Sequence, residues 1–263
     1  MAGHRPRKRF GQHFLHDPWI IQRIIQAINP RPGERLLEIG PGLGALTAPL
    51  LEAVGQLDVV ELDRDVIAPL QVACAGRGVL RVHNEDVLAF DFSRLAGTGP
   101  LRVVGNLPYN ISTPLIFHLL SQATSIHDML FMVQKEVAGR MAAAPGSKDY
   151  GRLSVMVQWR CAVETLFGVS PGAFRPPPKV DSAMVHLIPH SRPAVTVDDE
   201  SLFAALVEQA FKQRRKTLRN SLKQWLSADD IAAVGVEPAW RPEVLSLAQF
   251  AALTTAAHRR GSC

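Results

Sequence analysis

Cysteine is scarce in this 263-residue chain. Cys74, Cys161 and Cys263 lie far apart, with no Cys-x-x-Cys and no nearby histidine pair, so neither a disulfide framework nor a zinc site is encoded. Long apolar runs are lacking as well, and none approaches the ~18 residues of a membrane span. The basic start MAGHRPRKRFGQHF is not followed by the apolar stretch of a secretory signal, because PWIIQRIIQAI is interrupted by Gln22, Arg23 and Gln26. A cytoplasmic protein without a metal is expected. Acid is missing from two tracts. Residues 1–10 carry Arg5, Arg7, Lys8 and Arg9, and residues 211–223 carry Lys212, Arg214, Arg215, Lys216, Arg219 and Lys223, with no Asp or Glu in either.

What is present describes an ordinary globular chain, 47% hydrophobic and 20% charged, of a length that suits one or two domains. Its net charge of +5 is local, since the two acid-free tracts hold ten of the 29 lysines and arginines and the rest of the chain is net negative. If residues 201–226 form one helix at ~100° per residue, Lys212, Arg215, Lys216, Arg219 and Lys223 share a single stripe. Phe203, Val207, Phe211, Leu218, Leu222 and Trp225 then fall opposite, and Glu208 is the stripe's only acid. A cationic stripe of that kind predicts a polyanionic partner.

From residue 35 onward, short β-rich apolar runs alternate with helical patterns: RLLEIG, LGALTAPLLEAV, LDVVEL, RDVIAPLQVAC, VLRVHN. The alternation predicts βαβ units and a parallel sheet. LRVVGN, DMLFMVQ, AVETLFGV and SAMVHLIP are further strands, the last two joined by a proline-stiffened loop and expected to pair antiparallel. HSRPAVTVDDE reads as a linker, and only helical patterns follow it. The predicted domains are therefore 1–192 and a helical 193–263.

The first strand ends in Glu38-Ile39-Gly40-Pro41-Gly42-Leu43-Gly44-Ala45, whose glycines allow close approach of a ligand to a helix N-terminus. Glu61, closing the second strand, is placed to hold a ribose. Together they indicate an adenosine cofactor without deciding between NAD and S-adenosylmethionine. Asp86, after the third strand, suits an exocyclic adenine amine. The fourth strand ends in Gly105-Asn106-Leu107-Pro108-Tyr109. A planar amine such as adenine N6 is a poor nucleophile. The Asn106 carboxamide oxygen and a main-chain carbonyl near Leu107 or Pro108 would accept its two N–H groups and favour a pyramidal nitrogen. Pro108 stiffens the turn, and Tyr109 offers a face to an extruded base.

Over nearly its whole length the sequence resembles the ribosomal RNA adenine N6,N6-dimethyltransferases, and the bacterial 16S rRNA enzymes in particular. FGQHFLHD, LLEIGPGLGALT, VVELDRD, NEDVL, GNLPYNISTPL, MVQKEVAGRM, YGRLSV, FRPPPKVDSAMVHL and FKQRRKTLRNSL carry the likeness. The resemblance implies a class I methyltransferase fold, a Rossmann-like seven-stranded α/β sheet, with a small all-helical C-terminal domain. It implies S-adenosylmethionine as methyl donor. The targets it implies are two adjacent adenines near the 3′ end of 16S rRNA in the assembling small subunit, each methylated twice. Cofactor contacts would fall on His13, Leu15, Gly40, Gly42, Glu61, Asp86 and Asn106. The family usually has Asn where this chain has His13, and a histidine there makes cofactor affinity pH-dependent. The loop holding Phe174 would supply a second aromatic against the flipped adenine. Arg175 and Lys179 would contact phosphates, and Arg7, Lys8, Arg9 and the cationic stripe would grip the RNA. No general base is evident, and a monomer is expected.

Four other readings compete. A protein glutamine N5-methyltransferase uses an Asn-Pro-Pro-Tyr turn, against which Leu107 and the basic tract weigh. A large-subunit rRNA dimethyltransferase shares fold and turn, but RPPPKVDS and QRRKTLRNSL favour the small-subunit enzyme. A non-catalytic assembly factor would bind particles without transferring methyl. An NAD-dependent dehydrogenase shares only the fold.

Overall fold

The structure, a computed structural model, describes residues 12–97, 99, 101–213 and 215–261. Arg7, Lys8, Arg9, Arg214 and Cys263 lie outside the described residues. The chain divides into two compact units, Met1–Ala138 with Val163–Pro189, and Gly139–Ala162 with His190–Cys263.

The first unit alternates strands and helices: β1 (Phe14–Leu15), α1 (Pro18–Ile28), β2 (Leu36–Ile39), α2 (Thr47–Val54), β3 (Gln56–Val60), α3 (Arg64–Ala73), β4 (Val79–His83) and α4 (Ser93–Ala96). It continues with β5 (Leu101–Asn106), α5 (Ser112–Ser121) and β6 (Ile126–Gln134). After α6 (Lys135–Ala142) and α7 (Arg152–Arg160) come β7 (Cys161–Val169), β8 (Phe174–Arg175) and β9 (Ser182–Pro189). Seven strands form one sheet in the order β4-β3-β2-β5-β6-β9-β7, parallel from β4 to β6, with β9 antiparallel to β6. The predicted strand runs all lie in this sheet. Its central strands are buried on both faces, so they read as continuous apolar runs. Leu50, Leu57, Val59 and Val104 anchor the core.

Away from the glycine loop, Arg102 of β5 fastens three elements. Its guanidinium bonds both oxygens of Asp128 on β6 (2.8 and 3.1 Å), Glu34 (3.0 Å) and the Ile28 carbonyl that ends α1 (2.8 Å). Burial pushes the Asp128 carboxyl up, but hydrogen bonds from His186 and Arg102 outweigh it and hold the carboxyl at about 2.

The second unit departs from the predicted boundary, because Gly139–Ala162 belongs with the C-terminal helices α8 (Glu200–Phe211), α9 (Leu218–Ser221), α10 (Ala228–Ala233) and α11 (Leu247–Gly261). The Trp159 ring packs on Phe203 at 4.7 Å, and the Tyr150 hydroxyl donates to the Leu245 carbonyl at 2.8 Å. The linker binds there too: the Ala194 N–H donates to the Trp159 carbonyl.

The single helix expected over 201–226 is also corrected. α8 stops at Phe211, and Thr217 re-enters a short helix with extended backbone. Like charges at Lys212/Lys216 and Arg215/Arg219 would repel one turn apart in a continuous helix. The turn instead buries Leu218 and Leu222, and the Leu218 and Arg219 N–H groups donate to the Trp240 and Pro238 carbonyls. Lys212, Arg215, Lys216, Arg219 and Lys223 are all exposed, on a loop and one-turn helix rather than one stripe. No described helix is long and apolar enough to cross a membrane.

Candidate active site

At the carboxyl ends of β2, β3 and β5, where open α/β sheets bind ligands, lies a cavity of about 290 Å³. Its floor is the glycine loop. Gly42 has a φ of +53°, and a Cβ there would come within 3.0 Å of the Phe14 ring, so only glycine lets the loop pass under β1. A Cβ on Gly105 would stand 2.4 Å from the Ile39 carbonyl oxygen, which is why β5 can lie tightly against β2 just before Asn106.

Two carboxylates flank the loop. Glu61 accepts the Asp63 N–H at 2.8 Å and, more weakly, the Gly42 N–H at 3.4 Å, which leaves lone pairs on both oxygens. Burial raises its pKa, against the lowering effect of those backbone bonds. Asp86 is exposed at the rim and uses one oxygen to accept the Leu88 N–H. Leu43 and Leu62 line the cavity between them as partly exposed apolar walls.

Opposite stands the turn after β5. The Asn106 Nδ2 donates to the His13 carbonyl at 3.1 Å, so the carboxamide is oriented and its Oδ1 is the acceptor left over. The Pro108 carbonyl accepts the Ile111 N–H, whereas the Leu107 N–H is tied to the Met132 carbonyl. The turn thereby engages the Pro108 carbonyl. The Tyr109 hydroxyl shares a 2.6 Å hydrogen bond with Ser182, and its half-buried ring lies 5.4 Å from the His13 ring. His13 Nδ1 donates to the Pro176 carbonyl at 2.8 Å, because a carbonyl only accepts; this fixes the proton on Nδ1.

Ten of the predicted residues therefore meet in one cavity: His13, Leu15, Gly40, Gly42, Glu61, Asp86, Asn106, Leu107, Pro108 and Tyr109. Phe174 does not join them. It is 1% exposed and packed in the core, and its strand β8 pairs with β1 (Leu15↔Phe174), so its ring has no free face for a base. Arg175 and Lys179 are exposed beyond it.

Sequence reasoning missed Glu38. It is 2% exposed in the middle of β2, lines the cavity, and its Oε2 has no hydrogen-bond partner among the described residues. Burial pushes its carboxyl up to about 8, the Thr47 hydroxyl lowers it in part, and Glu61 raises it further. The signal was available: an acid inside a strand otherwise apolar on both faces needs a reason.

The profile of the family described as Ribosomal RNA adenine dimethylase matches residues 3–257. The chain belongs to that family. Among curated family members, Ribosomal RNA small subunit methyltransferase A of Laribacter hongkongensis is 55% identical over 261 residues, 99% of each chain. The protein of that name in Pseudomonas putida is 60% identical over 252 residues, 95% of this chain and 94% of its own. A dimethyladenosine transferase from Plasmodium falciparum superimposes with a TM-score of 0.80 at 28% identity, covering 95% of this chain and 98% of its own. The 23S rRNA methyltransferase ErmE gives 0.70 at 26% identity, over 93% and 99%.

Proposed function

We propose that this enzyme transfers methyl groups from S-adenosylmethionine to N6 of two adjacent adenines near the 3′ end of 16S rRNA, giving N6,N6-dimethyladenosine during small-subunit assembly. The oriented Asn106 carboxamide carries the reading, set in a cavity that also holds a glycine cradle and two acidic rims. The relatives named for the small subunit are 55–60% identical to this chain, against 26% for the 23S enzyme, which favours the small-subunit substrate.

The cavity fits the cofactor. Free lone pairs on Glu61 suit ribose hydroxyls, Asp86 an adenine amine, and Leu43 and Leu62 the faces of a purine. Gly40, Gly42, His13 and Leu15 would hold its amino-acid end, and the Glu38 Oε2, which has no partner among the described residues, would accept a hydrogen bond from its ammonium group. Bound there, S-adenosylmethionine supplies a methyl group activated by its sulfonium.

The chain's own residues act on the adenine. Asn106 Oδ1 and the Leu107 carbonyl accept the two N6 hydrogens, withdraw the nitrogen lone pair from the ring and aim it. Tyr109 stacks the extruded base. Each transfer replaces an N–H by an N–CH3 bond, and the proton passes to solvent after attack, so catalysis rests on placement. Arg175, Lys179 and the exposed cations between Lys212 and Lys223 position the RNA backbone. The enzyme works as a monomer in the cytoplasm.

The decisive test offers labelled methyl to unmethylated small-subunit particles, naked rRNA and a glutamine-containing protein. Dimethyladenosine in the particles is the expected product, and transfer to protein alone would overturn the reading. Asn106→Ala is expected to bind particles yet lose about 10²–10³ in kcat. Full activity in that variant would remove Asn106 from the mechanism.

A further inference from the structure

Trp19 stands on α1, outside the cavity, 63% exposed. Single exposed apolar side chains are ordinary on protein surfaces. Three observations set this one apart. One turn along, the Arg23 guanidinium lies 5.3 Å from the centre of the Trp19 ring and 4.0 Å from that of Phe167 on β7. The cation is held between two rings, which fixes the inner face of the indole and leaves its outer face to water. Gln22 and Gln26, both exposed, share a shallow groove with Trp19 and Arg23, as the three- and four-residue spacing requires on one helix face. No carboxylate lines that groove. The first turn of α1 has no acid, and the capping Asp17 is already engaged by the Trp19 and Ile20 N–H groups at 2.9 and 3.2 Å.

A free aromatic face, a planar cation beside it, two neutral carboxamides and no acid make up the chemistry of an unpaired nucleotide site. The ring takes the base, the amides reach its edge, and the arginine faces the phosphate. The groove also continues from the active site in sequence. His13, Phe14 and Leu15 line the cavity, and six residues of chain, at most ~20 Å even if fully extended, separate His13 from Trp19. A strand of RNA with one base in the cavity therefore reaches the groove with a near neighbour.

We propose that Trp19, backed by Arg23, is a second, non-catalytic stacking site that receives an unpaired base of the RNA substrate while the target adenine occupies the cavity. The inference rests on the RNA reading above and adds a place where that RNA is held.

The full-length protein, saturated with S-adenosylhomocysteine to prevent turnover, is titrated with a hairpin RNA whose loop contains two adjacent adenines. Trp19→Ala is expected to raise the RNA Kd, and KM in the turnover assay, about tenfold or more, with kcat and cofactor affinity unchanged. Trp19→Phe restores most of the loss. Irradiation of the hairpin carrying 5-iodouridine at loop positions crosslinks the peptide containing Trp19. Unchanged affinity in Trp19→Ala together with no crosslink at that peptide would overturn the proposal. Normal hairpin binding with weakened particle binding would also overturn it, by assigning the surface to a ribosomal protein. A wild-type protein that binds the cofactor but no RNA would instead defeat the substrate reading, and this site with it.

Discussion

Glu38 and Asn106 both line the cavity, with opposite problems. The Asn106 carboxamide is oriented by the His13 carbonyl, whereas the Glu38 Oε2 is buried with no hydrogen-bond partner among the described residues. A carboxyl raised to about 8 in the folded chain holds its proton where the unfolded chain has lost it. Between pH 4.5 and about 8 the native state thus binds more protons, and its stability falls as pH rises through that window. Glu38→Gln is expected to abolish this slope, so that the variant gains on the wild type in denaturant melts at pH 8.5 and matches it near pH 4.5. Parallel slopes for the two proteins would show that Glu38 is ionised throughout. Asn106 was legible from Gly105-Asn106-Leu107-Pro108-Tyr109 because the turn chemistry is local. Glu38 was not, since its lack of a partner is a property of everything around β2.

At the scale of elements, the two-residue ladder between β1 and β8 decides which aromatic lines the cavity. Pairing Leu15 with Phe174 brings His13 to the cavity wall and carries Phe174 into the core. Phe174→Ala is therefore expected to lower stability by about 3–5 kcal/mol, read as a lowered denaturation midpoint. Tyr109→Ala, which takes the hydrogen bond from buried Ser182, should lower the midpoint by less than Phe174→Ala and cut methyl transfer by roughly ten- to a hundredfold, with Tyr109→Phe retaining most activity. Loss of transfer in Phe174→Ala without destabilisation would return that ring to the base. The sheet strands were readable because doubly buried parallel strands are continuous apolar runs. The end of α8 was not, because helical periodicity persists through residues 212–217 while the burial of Leu218 and the outside partners of its N–H are tertiary facts.

For the molecule as a whole, charge and packing are separately distributed. The exposed cations from Lys212 to Lys223 contribute little to the core, so changing Lys212, Arg215, Lys216 and Arg219 together to Gln should leave the melting temperature unaltered. Their loss should weaken particle binding and flatten the dependence of log K on log salt by roughly 0.7–0.9 per lost phosphate contact. An unchanged salt slope would place the RNA elsewhere. The division into units shows the limit of chain order as a guide. α7 precedes the last three strands in sequence, yet Trp159 on Phe203, and Tyr150 just before the helix on Leu245, bind it into the C-terminal unit.

The sequence by itself determined the alternating α/β order, the glycine cradle, the Asn-Leu-Pro-Tyr turn and the concentration of basic charge, because each is written in neighbouring residues through periodicity, turn chemistry or composition. Only the tertiary structure decided that Phe174 is core, that α8 ends at Phe211, that the Glu38 Oε2 is buried without a hydrogen-bond partner among the described residues and that Arg23 lies between the Trp19 and Phe167 rings. Those outcomes depend on residues distant in the chain competing for the same buried volume and the same hydrogen-bond partners, and no local pattern records the result.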